Sequence, residues 1–481
     1  MAAAQTQTIP LTAPQPGSES DTTPAPALPP ISRRKQASVL LSAFVTIALT
    51  IGYNQTFGVF QEYYLSPDQN ILSPPPSSQA SPPTALLAFV GTLCYGLTWA
   101  GGILVNPVIA RIEHGTWGLT AAATTPSSRR WRRRILRVLT PRSITTSGVV
   151  IMCAGFALAS LASSIWQLLL TQGFLVGLGM SLLYFPLLAP APEYFTSHRA
   201  TAMGFILAGG GTGGLILSPV IRALLSSVGG RWTLRIYAVF NLFAGLPIAW
   251  AVPRSRFATT PAGGRPERRN THVSRSLSVK PTFLFSVVAA FLQSAGAQLP
   301  LSFIPSYTVI LGQTASNGAN LLAASNAINA VSRVFTGYAG DRLGRQNTLL
   351  LTLFLAACSV FAFWLSSILA TTSSSSSLWI AFIVLYSISA GGYYGLFPAL
   401  IAEVFGIQQY AAVNAFILFV RGLGTMFGSP VGGQLLGSSE EGTGAYASIA
   451  YWDGALLMGA TVCCAGVRWA DGKGKGWKWI A

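Results

Sequence analysis

Apolar residues fall along this chain in runs of about twenty, separated by shorter polar and basic stretches. A helix needs roughly 20 mostly apolar residues to cross the hydrocarbon core of a bilayer. Twelve runs of that kind stand at 36–60, 84–110, 143–162, 164–190, 199–225, 231–252, 281–311, 316–340, 347–370, 378–402, 408–436 and 447–469. The pattern predicts an all-α membrane protein with twelve transmembrane helices. Basic residues between the runs set its orientation, because lysine and arginine accumulate on the cytoplasmic side. With the N-terminus inside, 25 of the 30 lysines and arginines fall on that side, whereas Glu62, Asp68, Glu440 and Glu441 fall on the other. Both termini are expected to be cytoplasmic.

The polar stretches also divide the chain. Residues 1–35 are rich in Pro, Ala and Thr and read as a disordered cytoplasmic tail, since no basic region followed by an apolar one marks a cleaved signal. Residues 36–252 hold six runs and residues 281–470 six more. Between them, 253–280 carries Arg254, Arg256, Arg265, Arg268, Arg269, Arg275 and Lys280 with little apolar content, as a cytoplasmic linker would. A short basic tail follows at 471–481.

Composition narrows the class. The 481 residues are 51% hydrophobic and only 9% charged, with mean hydropathy +0.51. Soluble domains run nearer a quarter charged, so a soluble enzyme and a disordered chain are both excluded. A formal charge of +17 would suggest nucleic acid on a soluble protein. Here it belongs to loops beside a lipid bilayer, and no nucleic-acid partner is expected. Arg129-Arg-Trp-Arg-Arg-Arg-Ile-Leu-Arg137 interleaves apolar side chains with arginine, which suits either a helix lying on anionic lipid or a solvated loop. The five cysteines lie inside apolar runs, and His114, His198 and His272 lie outside them. No metal-ligand cluster and no nucleophile–base pair emerges, so neither an enzyme nor a cofactor is expected.

An internal repeat supports two bundles. Gly211-Thr-Gly-Gly-Leu-Ile-Leu-Ser-Pro-Val220 in the fifth run matches Gly422-Leu-Gly-Thr-Met-Phe-Gly-Ser-Pro-Val431 in the eleventh at five positions. Upstream, Glu193-Tyr-Phe195 pairs with Glu403-Val-Phe405. Parallel repeats of six helices, with a ligand bound between them, are a transporter architecture. Gly209-x-Gly211-x-x-Gly214 also fits a dinucleotide pattern, but it lacks the preceding strand and lies in mid-membrane. Glycines at four-residue spacing serve close helix packing there.

At the end of the eighth run, Gly337-Tyr-Ala-Gly-Asp341-Arg342-Leu-Gly344-Arg345 resembles the cytoplasmic loop motif of the major facilitator superfamily. The resemblance implies a gating motif of Gly337, Asp341, Arg342, Gly344 and Arg345, with Asp341 pairing with arginine and capping a neighbouring helix. The equivalent place in the first half has Asn106 for the acid. Glu193-Tyr-Phe-Thr-Ser-His-Arg199-Ala-Thr-Ala-Met-Gly204, Pro300 with Pro305-Ser-Tyr307, and Asn326 with Arg333 are similar to the monocarboxylate-porter branch, in its fungal form. The chain departs from the animal lactate carriers: by position their first-span lysine falls on Asn54 and their eighth-span acid on Asn329, and only Arg333 remains. Proton-linked lactate transport therefore does not carry over.

Charge inside a span costs roughly 2.5–3.5 kcal/mol on insertion scales, so each such residue asks for a role. Asn326, Asn329 and Arg333 share a helix face, and Asn414, Arg421 and Thr425 form a second polar stripe. Thr46, Thr50 and Asn54 form a third, and Tyr386, Ser389 and Tyr393 a fourth. The candidate substrate site is Arg333, Arg421, Asn54, Asn326, Asn329, Asn414 and Tyr393, the arginines meeting a carboxylate through their planar forks. The structural alternative has each arginine bonding main-chain carbonyls or an acid. Asp453, the one acid well inside a span, sits at a different depth from Arg421. The expected protein carries a small organic acid or acidic secondary metabolite by alternating access, in the plasma membrane. Efflux of a neutral or amphipathic natural product, or a non-transporting nutrient sensor, are the alternatives.

Overall fold

A computed structural model describes residues 31–74, 84–113, 140–195, 198–253, 273–370, 372–436 and 439–477. Most of the N-terminal tail, residues 114–139 with the 129–137 basic stretch, residues 254–272 of the linker and residues 478–481 lie outside the described residues.

The described chain is helical. Its first four long helices are α1 (Arg33–Leu65), α2 (Ala85–Ile109), α3 (Pro141–Ala159) and α4 (Ile165–Tyr194). The next stretch, Arg199–Trp250, is 52 residues long, about 78 Å at 1.5 Å per residue and far more than one crossing needs. Gly229, at φ 76° and ψ 171°, breaks it into α5 (199–228) and α6 (230–250). The bend is held by Tyr63 Oη and Asn70 Oδ1, which accept from Gly230 N at 3.0 and 3.1 Å. Then come α7 (Pro281–Ile310), α8 (Ala315–Leu343), α9 (Arg345–Leu369), α10 (Ser374–Val404), α11 (Gln408–Gln434) and α12 (Gly442–Gly474).

Ten of the described helices are long and apolar enough to cross a membrane, counting Arg199–Trp250 once. The 29-residue α8 falls outside that set, with Asn317, Asn320, Asn326, Asn329 and Arg333 along its length. The protein is thus an all-helical membrane fold of about ten to twelve spanning helices.

Local chemistry sets the helix starts. Ser32 caps α1, its Oγ accepting from Lys35 N. At α3, Thr140 and Ser143 cap each other reciprocally, with Pro141 in the first turn, where its missing N–H costs nothing. The apolar core falls into separate clusters. One draws on residues from Val39 to Val252 plus Leu418; the others draw on Ala200 and residues from 277 to 464. Large apolar side chains such as Phe243, Leu104, Phe335 and Val462 are more than 60% exposed, as a lipid-facing belt requires.

Several helix ends meet on one face, called here the terminal face because the described chain begins and ends there. Gln36 Nε2 at the start of α1 donates to Tyr194 O at the end of α4. Thr201 at the start of α5 meets Asp341 at the end of α8, and Gln346 at the start of α9 donates to Asp471 near the end of α12 at 2.8 Å.

Helices α1–α6 touch α7–α12 chiefly along two seams, α5 on α8 and α2 on α11. Glycine makes both possible. A Cβ on Gly211 would lie 2.6 Å from Asn326 O of α8, and one on Gly422 would lie 2.5 Å from Gly96 O of α2. The repeated glycine found in the sequence therefore does the same work in both seams, bringing backbones into contact.

Candidate functional site

Arg333 is buried where α8 crosses α5. Its Nε donates to Asn329 Oδ1 at 2.9 Å, one turn earlier on the same face, and its Nη1 donates to Leu207 O of α5. Gly210 leaves the room that Nη1 occupies: a Cβ there would lie 3.0 Å from it. Asn329 is oriented in turn by Ser387 O of α10, which accepts from its Nδ2 at 3.3 Å. Two of the three guanidinium nitrogens are thus spent on protein acceptors, and Arg333 is a strut between helices before it is anything else. Its remaining face lies over the Tyr394 ring, 4.8 Å from the centroid.

Arg421 is held differently. It is 4% exposed, yet among the described residues no acceptor lies on its guanidinium, and its Nε is buried without a partner. Aromatic faces surround it. The guanidinium carbon lies 5.1 Å from the Trp99 ring, 5.2 Å from Tyr393, 4.9 Å from Tyr394 and 5.8 Å from Phe397. Tyr184 packs edge-on against Trp99, and Tyr95 is tilted beside it. Cation–π contacts reach about 2 kcal/mol when desolvated, so the rings offset much of the burial cost without using a single N–H. An arginine kept in place by ring faces retains its in-plane donors for an incoming anion.

The two arginines share Tyr394, which puts their guanidinium carbons within about 10 Å of each other. Other polar atoms of the predicted site lack partners among the described residues. Asn326 Nδ2, Asn414 Oδ1, Asn54 Oδ1 and Tyr393 Oη are all buried and unpartnered. Asn54 also directs its Nδ2 to Met180 Sδ at 3.7 Å. The other two stripes are mostly spent within the protein. Thr46 and Thr50 donate to the carbonyls four residues earlier, and Tyr386 turns towards α7, donating to Ala297 O at 3.1 Å. Asp453 does not meet Arg421: both its oxygens are buried with no partner among the described residues, and a Cβ on Gly296 of α7 would lie 2.9 Å from its Oδ1.

Sequence reading missed Trp99, Tyr394, Phe397, Tyr95 and Tyr184. Aromatic residues inside apolar runs look like any other lipid-compatible positions. The available signal was Tyr393-Tyr394 with Phe397, rings clustered in one run while an arginine stood unexplained in the next.

At the terminal face, Asp341 joins the two groups of helices. Its carboxylate accepts from Ala200 N at 3.3 Å and from Thr201 N and Oγ1, both at 2.9 Å. These are first-turn donors of α5, where the helix dipole favours an anion. Arg345 binds Asp341 at 3.0 Å and Glu403 at 2.9 Å. Partial burial pushes the Asp341 carboxyl upward, but the bonds from Thr201, Arg345 and Ala200 overcome this and hold it below the usual carboxylate value. Gly337 sits against Ala200, where a Cβ would lie 2.6 Å from its carbonyl. Gly344 turns the chain between α8 and α9 at φ 95°. Arg342 instead packs over the Tyr338 ring at 5.4 Å. The corresponding Asn106 of α2 donates to Ala411 O at the start of α11, at a longer 3.4 Å.

Helices joined along two glycine seams, with partnerless polar groups between them and a charged clasp at one face, define a membrane carrier. The chain belongs to the major facilitator superfamily, whose family model matches residues 88–429. It is 29% identical over 422 residues to the MFS-type transporter pynF of Aspergillus niger, covering 86% of this chain and 83% of that one. It is 26% identical over 444 residues to the aspyridones efflux protein apdF of Emericella nidulans, covering 91% and 79%. Among solved structures, the proton:xylose symporter XylE bound to 6-bromo-6-deoxy-D-glucose superposes with a TM-score of 0.62 at 15% identity, covering 89% of this chain and 95% of that one. The protein is a multi-pass membrane transporter that takes small-molecule substrates; it is not an enzyme.

Proposed function

We propose that the protein exports an organic acid, monocarboxylate-like or an acidic secondary metabolite, by alternating access. It does so as a fungal monocarboxylate-porter-like carrier with twelve crossings, both termini cytoplasmic, in the plasma membrane. Residues 36–252 and 281–470 act as its two moving bundles, joined by 253–280. The observation that carries this reading is Arg421: a buried guanidinium with no acceptor among the described residues, braced by Trp99, Tyr393, Tyr394 and Phe397. Asn54, Asn326, Asn414 and Tyr393 supply orienting hydrogen bonds around it, and Arg333, steadied by Asn329, supplies a second positive charge. Efflux is favoured over uptake by the relatives, one of which is named for the efflux of a natural product.

A second reading, efflux of a neutral amphipathic product, is favoured by the aromatic walls alone. Arg421→Gln separates the two. The glutamine keeps hydrogen-bonding capacity and loses the charge, so efflux of acidic metabolites from a producing strain should fall by about 100-fold or more, as expected for losing about 3 kcal/mol from a charge-assisted pair. Unchanged acid efflux by a variant present at normal level in the membrane would discard the anion site.

A further inference from the structure

The charge balance of this cavity bears on how the empty carrier returns. Arg333 and Arg421 are 2% and 4% exposed, stand on one tyrosine ring, and neither has a carboxylate partner among the described residues. Asp341 and Glu403 are bonded to Arg345 at the terminal face, and Asp453 lies against Gly296 of α7, where a Cβ would be 2.9 Å from its Oδ1, with no arginine on it among the described residues. Arginine does not shed its proton in proteins, so the site has no internal way to become neutral. A carrier built around a carboxylate can take up a proton and cross empty; this one cannot.

Alternating access takes the site through a state closed on both sides. There the two guanidinium groups stay out of solvent, as they are here, while still repelling each other, and ring faces offset only part of that cost. An anion between them removes both penalties, because it pairs with the donors of Arg421 that no group among the described residues claims. Resting on the anion site proposed above, we infer that the carrier is an obligatory anion exchanger: it crosses readily only with an anion bound, and a small anion such as chloride occupies the Arg333–Arg421 site on the return leg.

The test uses the full chain in vesicles loaded with labelled potassium chloride, with valinomycin present so that charge movement is never limiting. Tracer efflux is followed into chloride and, separately, into dextran sulfate, which is too large to enter the site. Exchange predicts efflux at least tenfold faster into chloride, and no carrier-dependent efflux in Arg421→Gln protein that still elutes as a single species. Saturable quenching of Trp99 fluorescence by iodide, read as the difference from Trp99→Phe, should accompany it and be lost in Arg421→Gln. Equal efflux into both baths that disappears in Arg421→Gln would overturn exchange and keep the anion site. Equal efflux that persists in Arg421→Gln would remove both. Absence of carrier-dependent chloride flux in either bath would also overturn exchange, leaving the anion site to be decided by the metabolite assay.

Discussion

Replacing Asp341 by asparagine should open the terminal face. In the closed arrangement the carboxylate accepts three bonds across the seam, from Ala200 N, Thr201 N and Thr201 Oγ1, and a fourth from Arg345, which belongs to the same group of helices and persists when the seam parts. Hydrogen bonds to a charged group contribute about 1.5–3 kcal/mol each, but water replaces part of each when the first turn of α5 is exposed. Asparagine keeps one acceptor, loses the charge that the α5 dipole favours, and turns an amide N–H towards main-chain donors. A net loss of about 2 kcal/mol follows, which multiplies the open-to-closed ratio by about 30. Dyes on cysteines at Arg34 and Lys473, both exposed at the terminal face, in a chain with its five native cysteines replaced, would read the populations by single-molecule energy transfer. A shift towards longer distances of an order of magnitude or more is expected. A change under twofold would refute the role given to Asp341.

The same dyes test the pH dependence. Because the Asp341 carboxyl is held below its ordinary value in the closed form, its contribution is complete above that ordinary value, near 3.9, and is lost only as pH falls through the depressed one. The closed fraction should therefore stay flat from pH 7.5 to 5, and opening within that interval would contradict it. Gly422→Ala places a Cβ 2.5 Å from Gly96 O, which should cost about 1–3 kcal/mol and lower the melting temperature in detergent; Gly433→Ala, with nothing near its Cβ, should leave it unchanged. Arg333→Ala leaves the buried Asn329 Oδ1 without its donor at a cost of about 1–3 kcal/mol, so it should melt lower than Arg421→Gln, whose loss is in transport.

Much of this was legible in the chain because membranes constrain it so tightly. Run length alone located the helices, since hydrocarbon leaves the backbone no other partner. The Gly211 and Gly422 repeat, legible as a mark of two halves, lies on both seams, because only glycine allows the backbone approach seen there. The runs 199–225 and 231–252 separated α5 from α6, but they did not show that Gly229 turns the chain from one helix directly into the next in place of a loop. The site was half legible. Arginine in a span announces itself by its cost, but whether its donors are claimed depends on the opposite helix. Arg333 and Arg421 look alike in sequence, yet Leu207 O and Asn329 occupy the first while four rings cradle the second. Thr201 gave little signal, because half of its part in the clasp is a main-chain N–H that any residue in the first turn of α5 would offer, and its hydroxyl finds Asp341 only once α5 meets α8.

The two seams are built from one repeat but are not closed equally, and the difference falls on the site. On α5–α8, Asp341 takes three donors at the start of α5 with a full negative charge, and Arg333 adds a strut to Leu207 deeper in. On α2–α11, the corresponding Asn106 offers one neutral bond of 3.4 Å to Ala411 O, and deeper in, Arg421 only leans on Trp99. In chain order Arg421 stands one residue before the repeated Gly422, as Gly210 stands before Gly211. The position that on one seam makes room for Arg333 therefore carries, on the other, the unclaimed charge. The weaker clasp and the arginine that has no acceptor among the described residues lie on the same pair of helices, so the anion proposed to bind Arg421 would meet the less firmly closed seam.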